Sequence, residues 1–230
     1  MIDDPHVEKI LKINGQKIPV WLYGDPKNPP IIEVHGYLRA FSQYKGDLPA
    51  RHLMKNYYVI AFDLPGFGVN IDIKQNPVDF INEIVNKLVQ FKTIVFLGES
   101  LGGALVLKYA SIYPERVRAL VIAATPIYPG FSLLFSLAKH LPGIKNKVSV
   151  LSSFLFLTDD NLSKINKPVL LLYSAKDRLA TVGMGEKLSK YLPNSQMFVV
   201  NRWGHRWFLH EINRSGVLEA IEMFLRKLNV

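Results

Sequence analysis

The sequence predicts an α/β domain built on a mostly parallel β-sheet with helices on both faces. Three observations carry that prediction. Short apolar runs alternate with helix-patterned segments along most of the chain. One run, Thr93-Ile94-Val95-Phe96-Leu97, ends in Gly98-Glu99-Ser100-Leu101-Gly102 and leads at once into a helix-like stretch at 104–110. The chain has 230 residues, enough for one large domain with a substantial core.

The elements follow in order. Residues 7–13 and 17–23 read as a hairpin turned at Asn14-Gly15, a pair that accepts the positive φ values of a tight turn. Residues 31–35 and 57–62 are short buried strands. Asn76-Pro77-Val78-Asp79 opens a helix whose Phe80, Ile81, Ile84, Val85, Leu88 and Val89 recur at helical spacing. The strand before Ser100 and the helix after it come next, then a strand at 118–123. Strands at 168–173 and 196–200 flank a helix near 184–191, and an amphipathic helix over 212–228 closes the chain. Residues 126–164 break the rhythm. They contain two apolar pieces, 131–138 and 148–157, separated by Pro142-Gly143. This segment is expected to be a small helical cap, with 1–125 and 165–230 forming the core. Phe131, Leu134, Phe135, Phe154 and Leu157 are its candidates for lining an acyl pocket.

The chain has no cysteine, which excludes disulfides and thiolate metal sites. The formal net charge is +9, but the lysines and arginines are dispersed, so a solvated surface is favoured over a nucleic-acid interface. No apolar run is long enough to span a bilayer, and Met1-Ile2-Asp3-Asp4-Pro5 does not resemble a signal peptide. A cytoplasmic location without stable membrane insertion is the expectation; nothing in the sequence sets the oligomeric state.

A serine raised on a strand–turn–helix is a candidate nucleophile, since the sharp turn exposes its hydroxyl above the sheet. The competing reading makes Ser100 a helix cap. A serine hydroxyl needs a base and a group to orient that base. Asp177 follows the strand-like run 169–173 and is the candidate acid, against an ordinary turn aspartate. Only His205 and His210 lie downstream of it, and His205, after the strand at 196–200 and next to Gly204, is the candidate base. An oxyanion needs two backbone N–H donors. Leu101, the residue after the serine, and Tyr37, in the loop His35-Gly36-Tyr37-Leu38 after the strand at 31–35, are assigned to that task.

Taken together, His35-Gly36-Tyr37, Asp63-Leu64-Pro65-Gly66-Phe67-Gly68, Gly98-Glu99-Ser100-Leu101-Gly102-Gly103, Ser174-Ala175-Lys176-Asp177-Arg178 and Gly204-His205 resemble the α/β-hydrolase family. The resemblance implies an eight-stranded sheet with Ser100, Asp177 and His205 at its C-terminal edge, a structural role for Asp63, and no metal or organic cofactor. It points to a serine-nucleophile, esterase-like member with a short cap. Serine, in place of the aspartate of related epoxide hydrolases and haloalkane dehalogenases, sets those activities aside. The expected activity is hydrolysis of small-molecule esters with small to medium acyl chains. Cleavage of a C–C bond, thioester or lactone by the same residues is the alternative, and a low-turnover ligand receptor is the reading from another class.

Overall fold

The computed structural model describes residues 6–37, 40–43, 49–70, 75–126, 157–205, 207–208 and 216–229. An antiparallel hairpin, β1 (His6–Ile13) and β2 (Gln16–Tyr23), opens the chain. Its turn places Asn14 at φ 47° and Gly15 at φ 80°, the two left-handed residues that match the twist of the paired strands. β3 (Pro30–Val34) and β4 (Tyr58–Phe62) follow, with a short α1 (Pro49–Leu53) between them. α2 (Pro77–Leu88) begins where the sequence predicts: Asn76 Oδ1 accepts the Val78 and Asp79 N–H groups, and Pro77 occupies a first-turn position that needs no donor. β5 (Ile94–Glu99), α3 (Leu101–Ile112) and β6 (Val117–Ala123) form the central unit. Beyond residues 127–156 come α4 (Asp159–Ser163), β7 (Val169–Lys176), α5 (Val182–Tyr191), β8 (Ser195–Trp203) and α6 (Val217–Lys227).

The eight strands form one sheet in the order β1-β2-β4-β3-β5-β6-β7-β8. The pairs β1–β2 and β2–β4 are antiparallel and all others parallel. Strands β3, β4 and β5 are buried along their whole length, as expected for a sheet covered on both faces. From β3 the chain crosses to β4 on one side, and later returns to lay β5 on the other. The order reverses between β3 and β5, and a crevice opens at the C-terminal ends of two such strands.

Three boundaries differ from expectation. β7 and β8 run three residues beyond the apolar stretches that announce them, because the polar residues Ser174 and Arg202 continue the pairing. The closing helix is described from Val217, with Gly216 before it at φ 73°, a left-handed conformation that a right-handed helix cannot absorb; residues 212–215 of the expected span lie outside the described residues. Most of the expected cap, including Phe131, Leu134, Phe135 and Phe154, lies outside the described residues, as does His210. Leu157 is described and is half-buried against the core. Among the described residues no helix is long and apolar enough to cross a membrane.

Candidate active site

Ser100 stands between β5 and α3 at φ 51° and ψ −112°, a conformation that L residues avoid. The local sequence makes this turn physically possible. A Cβ on Gly98 would lie 2.6 Å from the Gly102 carbonyl oxygen, and one on Gly102 would meet the Val34 and His35 carbonyls. Without side chains there, α3 settles directly onto the ends of β3 and β5. The Ser100 N–H donates to the Ala123 carbonyl at 2.8 Å, tying the turn to the end of β6.

Three side chains predicted from separate parts of the sequence meet here. Ser100 Oγ is 2.8 Å from His205 Nε2, and His205 Nδ1 is 2.9 Å from Asp177 Oδ2. Asp177 is buried and its two oxygens divide their work. Oδ1 accepts the N–H groups of Leu179 (2.8 Å) and Ala180 (3.0 Å), while Oδ2 faces the imidazole. Oδ1 thus makes the contacts of a turn aspartate, and Oδ2 stands where a base-orienting carboxylate would. Burial pushes the Asp177 carboxyl up; the His205 and Ala180 hydrogen bonds, the His205 charge and the Leu179 N–H outweigh it, so its pKa lies below the usual aspartate value. An ionised carboxylate only accepts, so the proton of neutral His205 resides on Nδ1. Nε2 is left as the acceptor for the Ser100 hydroxyl.

What aligns the acid and base strands is Ser174, which in the sequence is marked only as the first residue of the acid loop. At the irregularity between Ser174 and Lys176, its Oγ donates to the Arg202 carbonyl at 2.6 Å and accepts the Arg202 N–H at 2.9 Å. One hydroxyl thus replaces a rung of the ladder, three residues before both Asp177 and His205. The only outward sign is a hydroxyl at the end of an apolar run. Tyr173 adds a second tie: its buried phenol donates to the Thr125 carbonyl at 2.7 Å, joining β7 to the loop after β6. Burial, and then the nearby Asp177 charge, push that phenol's pKa far up, so it remains a neutral donor.

The loop after β3 lies against the serine turn. A Cβ on Gly36 would sit 3.2 Å from Ser100 Cβ and 3.3 Å from the Glu99 carbonyl oxygen. Tyr37, next in the chain, packs edge-on against Phe67, with ring centroids 5.4 Å apart. Leu101 is the first residue of α3, where an N–H has no acceptor within the helix. Both assigned donor segments thus flank Ser100. His35 fixes the first of them. Its Nε2 accepts the Leu64 N–H at 3.0 Å, which leaves Nδ1 to donate to the Gly36 carbonyl at 2.7 Å. The ring is fully buried and bridges the loops after β3 and β4. Asp63 also links the segments after β3 and β4: Oδ1 accepts the Ser42 N–H and Oδ2 the Val69 N–H. Among the described residues, no group of three potential ligand side chains is placed to hold a metal.

A family model described as the alpha/beta hydrolase fold matches residues 29–148, more than half of the chain. The chain belongs to the alpha/beta hydrolase family. The uncharacterized hydrolase YugF of Bacillus subtilis is 24% identical over 246 aligned residues, covering 84% of this chain and 89% of that protein. A shorter stretch of 81 residues, 35% of this chain, is 40% identical to the pimeloyl-[acyl-carrier protein] methyl ester esterase of Shewanella woodyi and covers 31% of that hydrolase. Among solved alpha/beta hydrolases, esterase RhEst1 from Rhodococcus sp. ECU1013 superposes with a TM-score of 0.74 at 18% identity, over 98% of this chain and all of the other.

Proposed function

We propose that this alpha/beta hydrolase is a serine carboxylesterase that cleaves esters with small to medium acyl chains through an acyl-enzyme intermediate. The observation that carries this reading is the unbroken line of hydrogen-bonding partners from Ser100 Oγ through His205 to the buried Asp177 carboxylate. His205 Nε2 takes the Ser100 proton as Oγ attacks the ester carbonyl carbon. The C=O electron pair moves onto oxygen, and the Leu101 and Tyr37 N–H groups receive that charge; each such donor lowers a barrier of this kind by about 3 kcal/mol. The tetrahedral intermediate collapses with departure of the alcohol, which carries away the proton from His205. Water then repeats the sequence on the acyl-enzyme, releasing the acid and restoring Ser100. Asp177 holds the imidazole in the productive tautomer and stabilises it while it is charged.

The naming of the Shewanella relative as a methyl ester esterase supports ester chemistry. The test is a panel of chromogenic esters across acyl chain lengths, with lactone and thioester arms, run beside Ser100→Ala. Turnover of short and medium esters that falls on the order of a thousandfold or more in the variant is expected. Ester turnover no greater than that of Ser100→Ala at any length would sink the proposal.

A further inference from the structure

We propose that Thr125 is a positioning residue that ties the turn carrying Ser100 to the strand carrying Asp177, and so sets the span that His205 bridges. This role rests on the reading of Ser100 as nucleophile and is exerted through the backbone. Thr125 lies just beyond β6 and is fully buried. Its hydroxyl and its carbonyl serve different parts of the site. The hydroxyl donates to the Ala123 carbonyl at 3.2 Å, and that same oxygen accepts the Ser100 N–H at 2.8 Å. The Thr125 carbonyl accepts the Tyr173 phenol at 2.7 Å, on β7, four residues before Asp177. One residue thus stands between the nucleophile's turn and the acid's strand, with a hydrogen bond on each side.

The surrounding backbone is shaped for this placement. Ala124 is buried at φ 47°, in the left-handed region that alanine avoids, and its N–H donates to the Leu172 carbonyl at 2.9 Å. Such a conformation persists only where its surroundings over-determine it. With Ala124 so turned, the Thr125 hydroxyl returns to the carbonyl two residues before it. On the other side, α3 makes room. A Cβ on Gly103 would collide with Thr125 Oγ1 and lie 3.0 Å from Thr125 Cβ. The second glycine of the pair Gly102-Gly103 therefore seats Thr125 against the first turn of α3, the turn that also carries the Leu101 N–H. Shape alone would be served by valine. Only a hydroxyl adds a donor to the oxygen that holds the Ser100 N–H.

The test compares the native protein with Thr125→Val, Thr125→Ser, Tyr173→Phe and the Thr125→Val/Tyr173→Phe double variant. Two rates are measured: ester turnover, and labelling of Ser100 by an alkyl fluorophosphonate followed by mass spectrometry. Circular dichroism verifies folding. Thr125→Val and Tyr173→Phe are each expected to lower kcat and the labelling rate by about tenfold with KM nearly unchanged. Thr125→Ser keeps the donor and is expected to restore most of both rates. The two bonds act in series, so the double variant is expected to match the slower single variant rather than fall by about a hundredfold. Native rates in a folded Thr125→Val overturn the proposal. So do a Thr125→Ser as slow as Thr125→Val, a rise in KM alone, or a double variant that loses the product of the single losses. Native rates in Tyr173→Phe overturn it whether or not Thr125→Val folds. A protein labelled at Ser100 that cleaves no ester fails the esterase reading alone, and the labelling rates then decide the role of Thr125. Absence of labelling at Ser100 overturns both.

Discussion

The strain at Ser100 can be read as a stability difference between two inactive variants. Ser100→Ala keeps a Cβ at φ 51° and ψ −112°, whereas Ser100→Gly removes it. Both lose the hydrogen bond to His205, so that loss cancels in the comparison. A side chain held in such a backbone region costs about 1–3 kcal/mol. Glycine forfeits about 0.5–1 kcal/mol relative to alanine through backbone entropy, and loses roughly 0.8 kcal/mol of buried carbon. The terms leave the two variants roughly equal, with glycine ahead by about 1 kcal/mol where the strain is at its upper range. The reference is Ser111 within α3, whose hydroxyl bond to the Lys108 carbonyl is lost equally in both substitutions. There glycine is expected to fall about 1 kcal/mol below alanine, a melting difference of about 2–4 °C for a chain of this size. Thermal denaturation of the four variants under one buffer measures the double difference. A glycine deficit at position 100 as large as that at 111 would refute the strained turn.

Three other outcomes follow from the geometry. Asp177→Asn can still accept the Leu179 and Ala180 N–H groups but presents an amide N–H to His205, reversing the tautomer; kcat is expected to fall by about 10⁴ while circular dichroism shows the fold retained. Because the folded Asp177 carboxyl is held below its usual value, its contribution to stability is complete above the ordinary aspartate range and disappears as pH falls through the lowered folded value; urea midpoints of the native protein are expected to converge on those of Asp177→Asn over that acid interval, and to differ most at neutral pH. Ser174→Ala leaves the Arg202 N–H and carbonyl without their shared partner, and is expected to cost about 1–3 kcal/mol in denaturant unfolding and to lower kcat by about tenfold with KM nearly unchanged, since it loosens His205 against Asp177 without touching substrate.

The fold was legible because its signals are local. Asn14-Gly15 set a hairpin, Asn76-Pro77 opened α2, and apolar runs of strand length marked each buried strand. The polar ends of β7 and β8 were not legible, because Ser174 and Arg202 are joined through a side-chain hydroxyl that leaves no apolar pattern in the sequence. Gly216 was hidden in the closing helix for a related reason: helical periodicity runs through it, and the backbone conformation that ends the pattern is not written in hydrophobicity. Ala124, at φ 47° beside the serine turn, gave no signal at all, since alanine has no preference for that region.

By itself the sequence determined which side chains could do the chemistry, because the nucleophile, acid and base each sit at the end of a strand-like run and only two histidines lie downstream of Asp177. It also determined the turn that exposes Ser100, since glycines at 98 and 102 leave room for little else. Only the tertiary structure decided how those groups are held. His35 spans two loops 29 residues apart and Ser174 spans two strands 28 residues apart, and each does so with a single polar side chain. A buried donor or acceptor must find a partner wherever the folded chain brings one, and the sequence does not announce which distant backbone group that will be.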